Sequence, residues 1–416
     1  MQNMLYEAYL YACNWRYEYN AEKSAIVIIG ADSETDVPLK LGDQTINVYK
    51  SLEHVGTLVA DRQVEIIDYI KKRIDACRKP CNAIMGIGSI RAPMIPKSAS
   101  KLYWTNCVSK LTYGLQLMDL PKKAINMLQS FHAGAAKLIQ GLPDQASNDG
   151  ALHCMGWMPM DGYIEMLKLN YFVHLLLLPI DCIYKKILIK RYCLHMYCKE
   201  RKHIGPTWDF ICLSKKYGLL DLVKDVLENN KVISMDAWKK TVKQKIWNIQ
   251  NQKLSIICTL NKTLYLFSTP IKSNSMLAWW HFVQLKPSAL FKCRIIMRLL
   301  LDCHNLKSCM VRHKGNEISN DLCEQCSLGT AENIQHILFE CTRNDVQRKK
   351  LWFSVLNACP KALANDIERM DVKQKTAFLL TGLGNNFVKE WMYIYDQILD
   401  FVYSLYIDRI KLKNVM

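Results

Sequence analysis

The sequence predicts an α+β fold: a helix and a few antiparallel strands open the chain, a mainly α-helical body follows, and a small cysteine–histidine knuckle lies near its end. Three observations carry this. Continuous or alternating β-branched apolar runs are confined to the first sixty or so residues, apolar residues recur at helical spacing from about residue 100 onward, and one group of cysteines and a histidine has ligand spacing. With 416 residues, 50% hydrophobic and 22% charged, the chain can bury two or three cores and lacks the composition of a disordered protein.

Met1, Met4, Leu5, Ala8, Ala12, Trp15 and Tyr19 share a helical face, so an amphipathic helix should open the chain and stop near Asn20. Ala25 to Ile29 is an apolar run ended by Gly30 and reads as a buried strand. Leu39 to Leu41 and Ile46 to Val48 alternate around Gly42 and Asp43, as a hairpin does, and the polar stretch Asp32 to Asp36 is a connection. A second helix carries Val64, Ile67, Ile70, Ile74 and Cys77 on one face. Lys71, Lys72, Arg73, Arg78 and Lys79 crowd its expected end, where either the helix dipole or a nucleic-acid template favours cations. Gly86 and Gly88 lack the third glycine and the preceding strand of a phosphate loop. Pro121 opens and Gly141 with Pro143 closes a helix whose face is Ile125, Leu128, Phe131, Ala135 and Leu138. Further helices are expected near 161–178, 182–200, 234–252, 287–301, 345–357 and 386–411.

The formal net charge of +17 favours polyanionic partners through phosphate neutralisation. The excess is uneven: residues 180–260 hold 16 Lys and Arg against 7 Asp and Glu, residues 1–60 hold 4 against 8. Within the basic stretch Lys239, Lys240, Lys243 and Lys245, beside Trp238 and Trp247, are the best candidates for holding phosphates. Seventeen cysteines scattered along the chain without a leading signal peptide point to free thiols in a reducing compartment, with Cys154, Cys193 and Cys258 expected in the core. The longest apolar stretch, Tyr171 to Ile180, is far short of the ~20 residues of a spanning helix, so no membrane span is expected.

The most specific motif is Cys323-x2-Cys326, nine residues, then His336-x4-Cys341. Two such pairs can converge on one tetrahedral zinc, with thiolates at ~2.3 Å and imidazole at ~2.1 Å. Four protein ligands leave no open position, so the zinc would be structural and would not activate water. A rival pair, Cys309-x3-His313, precedes Cys323 and Cys326. His336 and Cys341 are favoured because Ile337 to Phe339 suits a short helix packed on the site.

Several segments together resemble the reverse transcriptase of non-long-terminal-repeat (LINE-type) retrotransposons. Asn20 to Ser24 before an apolar strand looks like the family's motif D. Leu52 to Gly56 looks like its primer grip, Val55 being a mild departure. Leu111 to Gly114 with Leu128 to His132 resembles the helices after the thumb, and the Cys323 cluster resembles the closing zinc knuckle, with a slightly long middle spacing. The resemblance implies a palm remnant at 1–62, thumb-like helices at 63–145, a basic helical connector at 146–305, the zinc knuckle at 306–345 and C-terminal helices at 346–416. It implies RNA and DNA as partners and a nuclear or cytoplasmic location. Lys23 would lie near the incoming nucleotide's phosphates, and His54 and Gly56 near the primer end. Nucleotidyl transfer needs carboxylates that hold two divalent cations. Here no two acidic residues are adjacent, so Mg2+ chemistry belongs only to a complete polymerase and this chain is expected to be an inactive fragment alone.

Two other functions fit the residues. One is a non-enzymatic, zinc-dependent module that binds nucleic acid through its basic helices and knuckle. The other is a helical scaffold whose partners are proteins. No nucleophile elbow is present.

Overall fold

The computed structural model describes residues 1–20, 23–28, 38–60, 63–86, 88–89, 92–197, 205–228, 233–268, 275–314, 320–383 and 388–413. The polar stretch 32–36 lies outside them. The first helix, Gln2–Asn14, is shorter than its apolar spacing implied, and Arg16 at φ 56° turns the chain away. Among the described residues Ala12 of its expected face is buried and Leu5 packs on the sheet, but Met4 is 76% and Trp15 69% exposed. The sheet beneath is too small to cover them, its buried apolar residues being Ile26, Leu41 and Ile46.

Leu39–Leu41 and Gln44–Tyr49 form the expected hairpin, Leu39 opposite Ile46, with Gly42 at φ 62° in its turn. Ala25–Val27 joins the other edge of Gln44–Tyr49 in parallel, where an antiparallel strand was expected. It buries Ile26 and leaves Ala25 and Val27 half-buried.

Ser51–His54 and Thr57–Ala60 make a second hairpin through Val55 and Gly56, both at positive φ. The paired left-handed residues are what a two-residue turn of matching twist requires. This turn is pinned to the next helix, Gln63–Gly86. The carbonyl of Gly56 accepts from Tyr69 Oη at 2.6 Å and from Arg73 Nη2 at 2.5 Å. Arg73 Nη1 also donates to the carbonyl of Tyr113, which ends the short helix Ser109–Thr112. Helix Gln63–Gly86 does not stop at the cation cluster, as the dipole argument assumed. It continues through Pro80 because Cys81 and Ile84 still pack into the core, and that packing outweighs the loss of one backbone hydrogen bond. Lys71 to Lys79 are therefore mid-helix.

Helix Lys122–Gln140 starts after Pro121 and is capped by Gly141 at φ 67°. Of the expected face Leu128 and Ala135 are buried and Ile125 and Phe131 pack against the core, but Leu138 is 47% exposed and the buried stripe extends to Ala124, His132, Ala136 and Ile139. Small residues let it lie close to its neighbours, and His132 fills the remaining gap. His132 is fully buried, stacked at 4.9 Å on Trp157, with Nδ1 3.1 Å from Tyr103 Oη and Nε2 3.2 Å from the carbonyl of Met158. The carbonyl can only accept, so Nε2 carries the proton and Nδ1 accepts from the tyrosine.

Burial pushes the His132 pKa down to about 3. The unfolded chain therefore binds more protons below pH 6.5, and His132 contributes stability that is full above that value and is lost as pH falls towards 3. By pH 5 the loss should be about 2 kcal/mol. Urea unfolding at pH 7 and pH 5 checks this: His132→Phe should start less stable at pH 7 but lose about 2 kcal/mol less on acidification than the natural chain. Equal losses in the two proteins would refute it.

The largest core draws on residues 69–164 and 258–406, with Trp279, Trp280, Phe282 and Tyr395 fully buried in it. A second core, around Phe172, Phe210, Trp238 and Trp247, is built by helices Met160–Leu176, Ile183–Tyr197, Pro206–Lys216, Leu220–Glu228 and Met235–Leu260. Cys154 and Cys258 are buried as expected, whereas Cys193 is exposed, since Ile183–Tyr197 buries only Leu188 and Tyr192. The described cysteines are all free thiols. No described helix is long and apolar enough to cross a membrane.

Candidate functional site

Cys323 and Cys326 lie on a tight turn closed by the Leu322–Ala331 bridge. The Cys323 N–H donates to the carbonyl of Thr330 at 2.9 Å, and the Gln325 N–H points at Cys323 Sγ at 3.4 Å. His336 and Cys341 flank a single π-helical turn, His336–Glu340, closed by the Cys341 N–H on the carbonyl of His336 at 2.7 Å. Such turns concentrate at functional sites, and this one swings the second pair onto the first. The donor atoms of Cys323, Cys326, His336 and Cys341 all lie within 4.8 Å of one another, with Cys326 Sγ 3.4 Å from His336 Nε2.

A tetrahedral ion with bonds of this length separates neighbouring donors by about 3.5–3.8 Å, so the set fits one metal ion. His336 Nδ1 is 2.8 Å from Thr330 Oγ1 and 3.5 Å from Glu340 Oε2. With the proton on Nδ1, the Nε2 lone pair faces the metal position. Burial holds the His336 pKa below its usual value, which favours that neutral ring. The cluster can hold a metal with four protein donors and no open position.

One ligand partner was not foreseen. Arg409, 4% exposed on the C-terminal helix Met392–Lys413, donates through Nη1 to Cys323 Sγ at 3.3 Å and through Nη2 to Cys341 Sγ at 2.9 Å. Its signal was in the sequence: Ile398, Val402, Leu405 and Arg409 recur at helical spacing, so the arginine belongs to the buried stripe.

Cys309 of the rival pair is elsewhere, grouped with Asp302 and His304 in a second buried cluster. Its thiol donates to the carbonyl of Asp302 at 3.3 Å. The Leu306 N–H donates to His304 Nδ1 at 3.2 Å, so Nε2 carries the ring proton and faces Asp302 Oδ1 at 3.1 Å. Arg312 takes the other carboxylate oxygen at 2.5 Å. A ring protonated on Nε2 offers no lone pair there, and the carboxylate of Asp302 is already taken up by His304 and Arg312. The side chain of His313 lies outside the described residues.

Lys23 is exposed, its N–H donating to Asn20 Oδ1 at 3.0 Å. His54 is exposed at the end of its strand, and Gly56 forms the pinned turn described above. Lys239, Lys240, Lys243 and Lys245 are all exposed on Met235–Leu260, but Trp238 and Trp247 are buried and present no stacking surface beside them. Lys239, Lys240 and Lys243 share one side at helical spacing, while Lys245 leans towards Gly218 on the other.

A stronger basic feature lies between Gln63–Gly86 and Lys122–Gln140. The two helices bound a groove of about 990 Å³ with Lys71, Arg78, Lys122 and Lys123 on its rims and Met127 and Phe131 in its wall. Lys71 and Arg78 are paired with Asp68 at 2.9 Å and Asp75 at 3.1 Å, whereas Lys122 and Lys123 have no ion pair among the described residues.

No family model, no curated protein and no solved structure matches the chain.

Proposed function

We propose that the chain is the part of a non-long-terminal-repeat retrotransposon reverse transcriptase that follows the catalytic aspartates, and that it holds RNA and DNA without polymerising them. The carrying observation is the order along one chain of a hairpin pinned at Gly56, a helix pair with a basic groove, and a closed four-donor cluster. The uncovered apolar face of Gln2–Asn14 and the three-residue core beneath it support the same origin, since a palm has further elements to pack there. The metal is zinc: three thiolates and one imidazole are its preferred donors, and the filled shell makes it structural. Lys23 serves the incoming nucleotide, and His54 with Gly56 the primer end. A zinc-dependent nucleic-acid-binding module without a polymerase origin is the second reading, favoured by the lack of any adjacent acidic pair.

A primed RNA template with Mg2+ and deoxynucleotides tests both. The purified chain should bind the template and not extend the primer. Joined to a palm segment that supplies adjacent aspartates, it should extend, and Lys23→Ala should slow that extension. Extension by the chain alone would overturn the absence of catalysis. A joined protein that binds but never extends would leave only the binding module.

A further inference from the structure

Helix Lys122–Gln140 separates the basic groove from a second cavity of about 390 Å³, also bounded by Asn148–Cys154 and Met235–Leu260. Lys122 and Asn126 line both. This volume lies within the ~300–1,000 Å³ range of small-molecule sites and suits one planar group, not a folded polymer.

Part of its polar lining is unspent. Asp149 makes no ion pair and no hydrogen bond to another described residue, and burial with Asp161 nearby raises its pKa. Asp161 itself is taken up by Lys253 at 3.2 Å and by the Gly162 N–H at 2.7 Å. His153 is 7% exposed and held edge-on against Phe267 at 5.4 Å, with no hydrogen-bond partner for either ring nitrogen among the described residues. The amides of Asn126 and Asn251 are equally free, and the buried indole N–H of Trp247 has no acceptor. Buried polar groups are ordinarily satisfied, and two that are not, the His153 ring and the Trp247 indole N–H, border the same cavity as the unpaired, half-buried carboxylate of Asp149, which marks it as a binding site.

The chemistry of that ligand follows from the groups. A lone carboxylate accepts two parallel hydrogen bonds, and among nucleobases only guanine presents two adjacent donors, its ring N1–H and exocyclic amine, on one edge. The free amides can donate to its O6 and N7 acceptors. Lys122 and Lys253 at the cavity favour a phosphate-bearing ligand and disfavour a cationic one such as arginine, which would also match the carboxylate.

We propose that this cavity binds a single guanine, read by Asp149 and His153, with its phosphate towards Lys122 and the basic groove. The guanine comes from a free nucleotide or from a base unstacked from a single strand. The free-nucleotide case stands without the proposed function above, and the strand case rests on it.

Calorimetric titration of the full zinc-loaded chain with GMP, AMP, CMP, UMP and inosine monophosphate tests the site without any variant. GMP should bind about ten-fold or more tighter than AMP, as one bidentate pair discriminates, and inosine monophosphate, which lacks the exocyclic amine, should fall well below GMP. Asp149→Asn, with its fold checked by circular dichroism, should lose the preference. A twelve-residue oligo(dT) with one internal dG, compared with plain oligo(dT), separates the sources: tighter binding of the dG strand assigns a strand base, equal binding alongside tight GMP assigns the free nucleotide. Equal affinity for all five nucleotides, no nucleotide binding, or tighter binding of arginine than GMP would overturn the proposal. Salt-dependent binding of mixed-sequence strands reports on the proposed function separately.

Discussion

Removing the metal from the Cys323 cluster should destabilise the folded chain by about 3 kcal/mol or more, and much of that loss should trace to Arg409. A zinc ion held by three thiolates and a neutral imidazole would carry a net charge of −1, and the Arg409 guanidinium beside Cys323 and Cys341 would neutralise it. When the metal leaves, the thiolates take up protons and the buried guanidinium loses its counter-charge, a situation that typically costs 3–5 kcal/mol. Arg409→Met separates the two effects. It should weaken zinc binding about 10–100-fold, as loss of a group that supports metal ligands does, while making the metal-free protein more stable than the metal-free natural chain. Chelator competition gives the first quantity and urea unfolding with and without chelator gives the second. The natural chain should carry one zinc, and Cys323→Ser none. Unchanged affinity in Arg409→Met, or a metal-free variant less stable than the natural one, would refute the charge argument.

The cluster was legible because metal ligands must be particular residue types and their local spacing is short enough to read directly. The hairpin at Gly42 was legible for the same reason, since turn chemistry and alternation are local. What failed were features decided by neighbours. Lys122–Gln140 buries more than its expected face because His132, polar by type, fills a gap among Tyr103, Trp157 and Met158 that no local pattern reveals. The second helix was expected to end at its cations, yet Cys81 and Ile84 beyond Pro80 pack into the core. The parallel pairing of Ala25–Val27 depends on a strand twenty residues later. Arg73, assigned to a helix end or to a template, is spent inside the protein on the carbonyls of Gly56 and Tyr113. The groove itself could not be seen, because its two rims lie about fifty residues apart in sequence and are joined only by packing.

The groove makes the second large prediction. If Lys71, Arg78, Lys122 and Lys123 each meet one phosphate of a single strand, the slope of log affinity against log salt should be about −2.8, and affinity should fall about 50-fold between 50 and 200 mM salt. Lys71 and Arg78 must give up exposed pairings with Asp68 and Asp75, which are worth little in water, whereas Lys122 and Lys123 are free to begin with. Replacing Lys122 and Lys123 by alanine should therefore halve the slope and weaken binding at low salt by ten-fold or more, with little change in stability because both side chains are exposed. Fluorescence anisotropy of a labelled oligonucleotide over that salt range measures both. The matching test on Met235–Leu260, with Lys239, Lys240 and Lys243 replaced together, should move the slope less, because that face has neither a groove nor an exposed aromatic ring to hold the strand in register. If the larger change comes from that helix instead, the strand runs over the connector and the groove is a solvated basic surface. Strand contact would then be a property of the charge-rich sequence alone, independent of the packing of the two groove helices.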